Sequence, residues 1–422
     1  VNTSVDAIHD AFTRISTFES HAEFAKKNWA VPSGRTFVIS LGKTARGSLG
    51  GLVSVLGTSI SEAICIDDRV NASEADVFHG IRVKQVRGNH PIPKSDSLAA
   101  ASAIHSAVSR WDLCVDDAVI VCVGGGTSSM VAEAKAPLKQ CDLGLIYRAL
   151  LDSGIDVTSA NTLRRKLTTL HDGGLAKLLY PARVTTLLMS DNAQGDIAAV
   201  GSGPTLLSKE PVAPEAMKAV PPHLLDSVRM VLEGVCDTRT YSGSFGRGDD
   251  EVYELANVET LAEECTRSVQ KIVDRVSCLG VFGGDWRLLA VSMWNAAAEM
   301  VFGPTGGWVG VIAAGEPCVT VQDGGRGGRC QQMTAAMAYL ALPGVEFTFA
   351  AISSDGRDNI EGIRGAAFDS RILNGIVKTD LYRSLCETDT YDVLDASGCL
   401  LRGPRTDENL CDAFVLIARK VL

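Results

Sequence analysis

Six consecutive apolar residues followed by three glycines constrain this chain more than any other stretch. Residues 118–123, Ala-Val-Ile-Val-Cys-Val, show no polar alternation and are rich in β-branched side chains. They read as a strand buried on both faces of a parallel sheet. Gly124, Gly125 and Gly126 then make a turn, Thr127, Ser128 and Ser129 supply hydroxyls, and residues 130–134 have the composition of a helix start. A strand, a glycine turn and a helix N-terminus together expose backbone N–H groups and about half a positive charge, the chemistry of an anion cradle. No Gly-Lys-Ser/Thr closes the turn, so it is not a Walker loop, and a plain βα turn accounts for the stretch as well.

The surrounding pattern repeats the same idea. Strand-like runs at 35–41, 63–66, 81–86 and 184–189 alternate with helical patterns at 8–15, 97–109, 142–151 and 161–170, with another helix from Thr44 onward. Alternation of this kind predicts a doubly wound, mostly parallel, Rossmann-like α/β sheet. Ligands bind such sheets at the carboxyl ends of the strands, where Lys43, the 124–129 loop and Asp191 all fall. At 422 residues the chain exceeds the usual size of one core, so two domains are expected. Prolines at 211, 214, 221 and 222 and the run Ser-Gly-Ser-Phe-Gly-Arg-Gly at 242–248 place the boundary, giving domains of 1–235 and 236–422. A long helix over 258–276 and strands at 308–313, 317–321 and 347–352 make the second, smaller domain α/β as well.

Composition narrows the function. A hydrophobic content of 46% with 21% charged residues suits a soluble enzyme, and a net charge of −10 without a basic stripe argues against nucleic acid. The 12 cysteines are scattered, with no Cys-x-x-Cys pair, which argues against zinc and for free thiols in a reducing cytoplasm. No apolar run is long enough to span a membrane, and the N-terminus lacks a signal pattern.

The chemistry-bearing residues point to phosphoryl transfer. A second glycine cluster, residues 324–329, carries Arg326 and Arg329 ahead of a helix at 331–340, and a guanidinium fork matches oxyanions. Carboxylates recur at strand ends: Asp191 with Asp196, Glu316, and Asp355 with Asp358. A magnesium nucleotide needs one or two of these, and any one Asp alone reads first as a helix cap or turn former. Lys43 and Arg329 are the expected phosphoryl cations. His90, in His-Pro-Ile-Pro, serves either the loop or the substrate, and Asn161, Arg164 and Lys166 share either a ligand or a solvated face. Gly42, Gly47 and Gly50 with Asp67 also suggest an NAD(P)-dependent reductase, although the spacing is not Gly-x-Gly-x-x-Gly. A non-catalytic anion-binding protein is the third reading.

These motifs, in order, resemble the glycerate 2-kinases, whose C-terminal half is called the MOFRL domain and whose older label was hydroxypyruvate reductase. The resemblance runs through Gly42-Lys43, His90-Pro91-Ile92-Pro93, Gly124-Gly125-Gly126-Thr127-Ser128, Asn161 and Arg164, Ser190-Asp191, and Gly201-Ser202-Gly203-Pro204-Thr205. It continues with Gly315-Glu316, Gly327-Gly328-Arg329, Asp355-Gly356 with Asp358, Gly403-Pro404, and Asn409 with Asp412. It implies two α/β domains with the active site in the cleft, ATP and Mg2+, and phosphorylation of D-glycerate or a related hydroxy acid; a homodimer is compatible with it. It places the family's catalytic lysine and arginine on Lys43 and Arg329. From the residues themselves we add Asp191 in catalysis and expect substrate or phosphate binding at His90, the 124–128 loop, Asn161, Arg164, Arg326 and Asp355, with Asp191, Glu316 and Asp358 as the metal candidates. The chain departs from the family pattern at His171, Cys330, Arg357, Gly362 and Cys411, so the acceptor shell has changed more than the anion loops.

Overall fold

The computed structural model describes residues 2–70, 75–78, 80–192, 195–234, 249–320, 324–373, 375 and 377–421. These divide into two compact units, one made of residues 17–255 and one of residues 1–16 with 256–422. The expected division at 235/236 falls outside the described residues. Within them, the N-terminal helix Asn2–Arg14 belongs with the C-terminal half of the chain.

The 17–255 unit is built on a sheet of β1 (Thr36–Leu41), β2 (Ile60–Asp67), β3 (Ala75–Phe78), β4 (Ile81–Arg87), β5 (Ala118–Val123), β6 (Arg183–Met189) and β7 (Glu251–Ala256). Its order is β3-β4-β2-β1-β5-β6-β7. The run β4-β2-β1-β5-β6 is parallel, and β3 lies antiparallel on the β4 edge. Every residue of β1 and β5 is buried, as their unbroken apolar runs require. Alternate side chains serve opposite cores: Phe37, Ile39, Val119 and Val121 on one face, Val38 and Ile120 on the other. Each fully buried Val or Ile there contributes roughly 1.5–3 kcal/mol of gross burial free energy.

Helix Ala45–Leu56, which leaves β1, packs on the Val38 face, whereas helix Ser95–Trp111, which precedes β5, packs on the Phe37 face. The chain therefore winds outward from β1 in one direction through β2 and β4, and in the other through β5 and β6. The carboxyl ends of β1 and β5 flank the topological switch point, where open α/β sheets take their ligands.

The other unit has a mixed sheet of β8 (Arg275–Phe282), β9 (Val309–Gly315), β10 (Val345–Ser353), β11 (Ile363–Asp369), β12 (Leu400–Arg402) and β13 (Asp412–Lys420). The order is β12-β11-β10-β13-β9-β8, parallel only between β8 and β9. Helices Trp286–Val301 and Arg329–Tyr339 bury one face. On the other face Ser4 Oγ donates to the Thr348 carbonyl at 3.2 Å, and a Cβ on Gly310 would sit 2.4 Å from Val269.

Several expected elements differ. The helix expected from residue 130 is a single turn, Thr127–Met130, because Val131 leaves helical geometry at φ −122°. The helix expected over 161–170 ends at Arg164 and tightens into a 3-10 turn, Arg165–Leu167. The long helix expected over 258–276 stops at Gln270, and the Val-rich stretch beyond it enters β8. In the strand expected at 317–321, Cys318 makes only an isolated bridge to Asp285, and Val321 lies outside the described residues.

Candidate functional site

Three loops meet at the switch point of the 17–255 unit. Gly42 turns out of β1 with φ +96°, and a Cβ there would lie 2.7 Å from the carbonyl oxygens of Gly124 and Gly125. Lys43 N–H donates to Gly125 O at 2.9 Å, which ties the lysine backbone to the glycine loop. Gly126, at φ +81°, lies against His90, whose Cδ2 would be 3.1 Å from an added Cβ. Gly201 closes the far side, where a Cβ would meet Thr127 at 2.8 Å. The Lys43 backbone, His90 and residues 124–128 thus lie together at this end of the sheet.

The single helical turn after the glycines is too short for a useful dipole, so the anion chemistry rests on the loop itself. Gly124 N–H is spent on Leu41 O and Ser129 N–H on Gly126 O. Among the described residues, the N–H groups of Gly125, Gly126, Thr127 and Ser128 donate to no backbone or side-chain acceptor. Adjacent bare N–H groups around a left-handed glycine form an anion-binding concavity.

Asn161 and Arg164 reach the same loop through a residue the sequence reading did not single out. The Arg164 guanidinium lies 4.8 Å from the Tyr147 ring centroid, and Tyr147 hydroxyl donates to Ser128 O at 3.0 Å. Ser128 Oγ in turn lies 2.6 Å from Ser202 Oγ. Tyr147 reads from sequence as one more apolar position of its helix, which it also is; Ser202 lies in the quoted Gly-Ser-Gly-Pro-Thr run. Asp191 stands two residues past the end of β6, and Asp196 accepts from Ala198 N–H at 2.9 Å as the cap of the next turn.

The reductase reading finds different use for its residues. Gly47 and Gly50 lie inside helix Ala45–Leu56, not in a phosphate turn. Asp67 is buried and bound at 2.6 Å by Arg69, whose Nη2 also donates to Lys43 O at 3.0 Å. Burial pushes the Asp67 carboxyl above its usual range while Arg69 opposes the shift. It buttresses the Lys43 turn.

The 256–422 unit assembles its own polar cluster where β9 and β10 end and β13 begins. Arg329 Nε donates to Asp412 Oδ2 at 2.7 Å, and its Nη2 lies 2.9 Å from Glu316 Oε1. Burial works against the Arg329 charge, but Asp412 and Glu316 hold its pKa well above the ordinary value. Asp412, fully buried, was visible in sequence only as a motif position. Asp358 Oδ1 accepts from Cys330 N–H at 3.0 Å and its Oδ2 from Gln331 N–H at 2.9 Å. A carboxylate from 28 residues away therefore occupies the helix N-terminus behind the second glycine cluster. Burial, with Asp412 nearby, pushes the Asp358 carboxyl up to about 6. Asp355 Oδ1 accepts from Arg357 N–H at 2.9 Å. Arg326 turns to the surface, 4.2 Å over the Tyr391 ring and paired with Asp392 at 3.1 Å.

Mg2+ takes one or two carboxylates plus phosphate oxygens, so a protein-only cage is not required. Among the described residues no group of three or more His, Cys, Asp or Glu side chains could hold a metal. Both Asp358 oxygens accept from a helix end, and Glu316 is bound to Arg329. No helix among the described residues is long and apolar enough to cross a membrane.

Comparison with known proteins bears on both units. Residues 3–233 match the family described as "Domain of unknown function (DUF4147)", and residues 309–412 match the MOFRL family. A protein of Agrobacterium vitis named "Putative hydroxypyruvate reductase" is 27% identical over 92% of this chain and 88% of its own length. A "Glycerate 2-kinase" of Picrophilus torridus is 24% identical, covering 92% of this chain and 89% of that protein. The crystal structure of a glycerate kinase from Thermotoga maritima superposes with a TM-score of 0.77 at 20% identity, covering 100% of this chain and 99% of that one. At that identity the superposition establishes the fold.

Proposed function

Because this chain belongs to the DUF4147 family and carries a MOFRL segment in its C-terminal part, we propose that it is a glycerate 2-kinase-type phosphotransferase. It moves the γ-phosphoryl group of ATP to a hydroxyl of D-glycerate or a related small hydroxy acid. The observation that carries this reading is the set of bare N–H groups at Gly125–Ser128, beside Lys43 and His90 at the switch point. A transferring phosphoryl group needs little covalent help; it needs donors and cations aimed at its oxygens.

In this reading the 124–128 loop holds an anionic group, either nucleotide phosphate or the acid's carboxylate. Lys43 and Arg329 neutralise charge on the migrating phosphoryl group. Asp191 either holds Mg2+ or takes the proton of the attacking hydroxyl. Mg2+ would supply charge neutralisation at the nucleotide phosphates. Asp355, Glu316 and Asp358 serve the 256–422 cluster, with Glu316 and Asp358 orienting Arg329 and its helix, whereas Arg326 is held at the surface by Tyr391 and Asp392. The described cysteines are free thiols, which suits a cytoplasmic enzyme.

A coupled ADP-release assay over a panel of hydroxy acids with ATP and Mg2+ tests the reading. Turnover is expected with D-glycerate or a close relative. Absence of turnover with every acid, from folded protein, overturns it, and NADH oxidation with hydroxypyruvate would revive the reductase. Lys43→Ala and Arg329→Ala should each lower kcat about 10²–10³-fold. If both act on one phosphoryl group, the double variant loses less than the product of the single losses.

A further inference from the structure

Arg164 is 8% exposed, and no carboxylate of the described residues lies within ion-pair distance of it. Its Nη1 donates to Asn161 Oδ1 at 3.3 Å, its face covers Tyr147, and its Nε is sealed and donates to nothing. Nη2 makes no hydrogen bond either but is not sealed, so the fork opens toward solvent along that edge. A guanidinium stays charged in proteins, and burying that charge unpaired is costly. The ring on which it rests is the one whose hydroxyl holds Ser128.

Arg165, next in the chain, differs. It is fully buried with Nη1 and Nη2 bare, but Asp196 and Glu210 stand 3.9 and 3.8 Å away and balance its charge. Lys166 is likewise paired, with Asp172 at 2.6 Å. The three cations and these three carboxylates balance in number, but two of the carboxylates stand at Arg165 and one at Lys166, so Arg164 alone of the three has no anionic partner among the described residues. The planar fork fits carboxylate and phosphate alike, and its single unmet charge is matched by a monoanion such as a carboxylate.

We propose that Arg164, framed by Asn161 and Tyr147, is the seat of the substrate's carboxylate and the residue by which the site distinguishes an acid from a neutral polyol. This rests on the kinase reading for the identity of the acid, and it leaves the 124–128 loop to phosphate. The carboxylate lies across Nη2 and Nε of the fork once Tyr147 admits it. Neutral analogues keep their hydroxyls but leave the guanidinium unmet, so they bind poorly.

The test compares D-glycerate with glyceramide and glycerol, in the wild type and in Arg164→Lys and Arg164→Gln, by calorimetric binding without nucleotide and by steady-state kinetics with ATP. The wild type should bind glycerate at least 100-fold more tightly than glyceramide. Arg164→Lys, which keeps charge and stem, should lose at least tenfold of that preference through KM for the acid, with KM for ATP unchanged. Arg164→Gln should abolish the preference. A kinase whose acid-over-amide preference survives both substitutions overturns the proposal and leaves the kinase reading standing. Acid-selective binding that depends on Arg164 without turnover on any acid upholds the subsite and sinks the kinase. Failure of the wild type to prefer the acid overturns the subsite outright.

Discussion

The chain contains two glycine clusters that look alike in sequence and end differently. In the 17–255 unit, Gly124–Gly126 follow β5, and the N–H groups of Gly125–Ser128 donate to nothing described. In the 256–422 unit, the helix Arg329–Tyr339 behind the second cluster has its N-terminal N–H groups filled by Asp358. Glycines make a close approach possible in both, but only the first leaves donors for an external anion. The second is a strut that holds Arg329 between Asp412 and Glu316.

The sharpest way to break this contrast is a matched pair of glycine substitutions. Gly124→Ala would place a Cβ 2.1 Å from Thr44 Oγ1, and should cost at least about 10²-fold in kcat/KM by displacing the loop. Gly324→Ala faces open space at φ +85° and should leave turnover within about threefold, at about 1–2 kcal/mol of backbone strain. Equal losses of activity would end the distinction.

Removing the strut comes next. Asp358→Ala strands the Cys330 and Gln331 N–H groups and should cost about 2 kcal/mol in denaturant unfolding. Because it uncovers a helix N-terminus, inorganic phosphate should restore part of that loss, and Asp358→Asn should need less rescue. No phosphate effect beyond that seen in the wild type would show that the helix end takes no anion.

The smallest effect is pH. His21 and His171 are fully buried in the 17–255 unit, and burial pushes them down to about 4 and about 3. Their unfolded forms take up protons first, so stability is full above about 6.5 and falls as pH drops toward those values. Asp358 acts oppositely: raised to about 6, it contributes stability that is present at low pH and lost as pH rises through 6. Between pH 7 and 6 the net loss should be on the order of 1 kcal/mol, read by denaturant titration. Replacing His171 with Asn should flatten it; an unchanged slope would mean that the ring is charged in the folded protein.

What was readable in advance follows from range along the chain. β1 and β5 announce themselves because a strand buried on both faces needs an unbroken apolar run, and Gly42 and Gly126 because their left-handed backbone excludes side chains. The Asp358 cap was not readable, since an acid at a strand end looks the same whether it meets a metal or a helix 28 residues away. The short turn at Thr127–Met130 escaped for a related reason: Met130–Ala134 has helical composition, yet the chain there bends to pair Ala134 with Thr168. Arg164 sits in a polar helical pattern that fits a wet face equally well; only its burial separates the two readings.

Arg14 joins Glu264 through both side chain and backbone, the latter at 2.9 Å, across a sequence separation of 250. Closing so long a loop is entropically late, so the helix Asn2–Arg14 should dock only after the sheet it covers has formed. Expressed without residues 1–16, the 256–422 stretch would present the uncovered Thr348 face to water, and stickiness of that fragment, cured by adding the missing helix in trans, is the behaviour to expect.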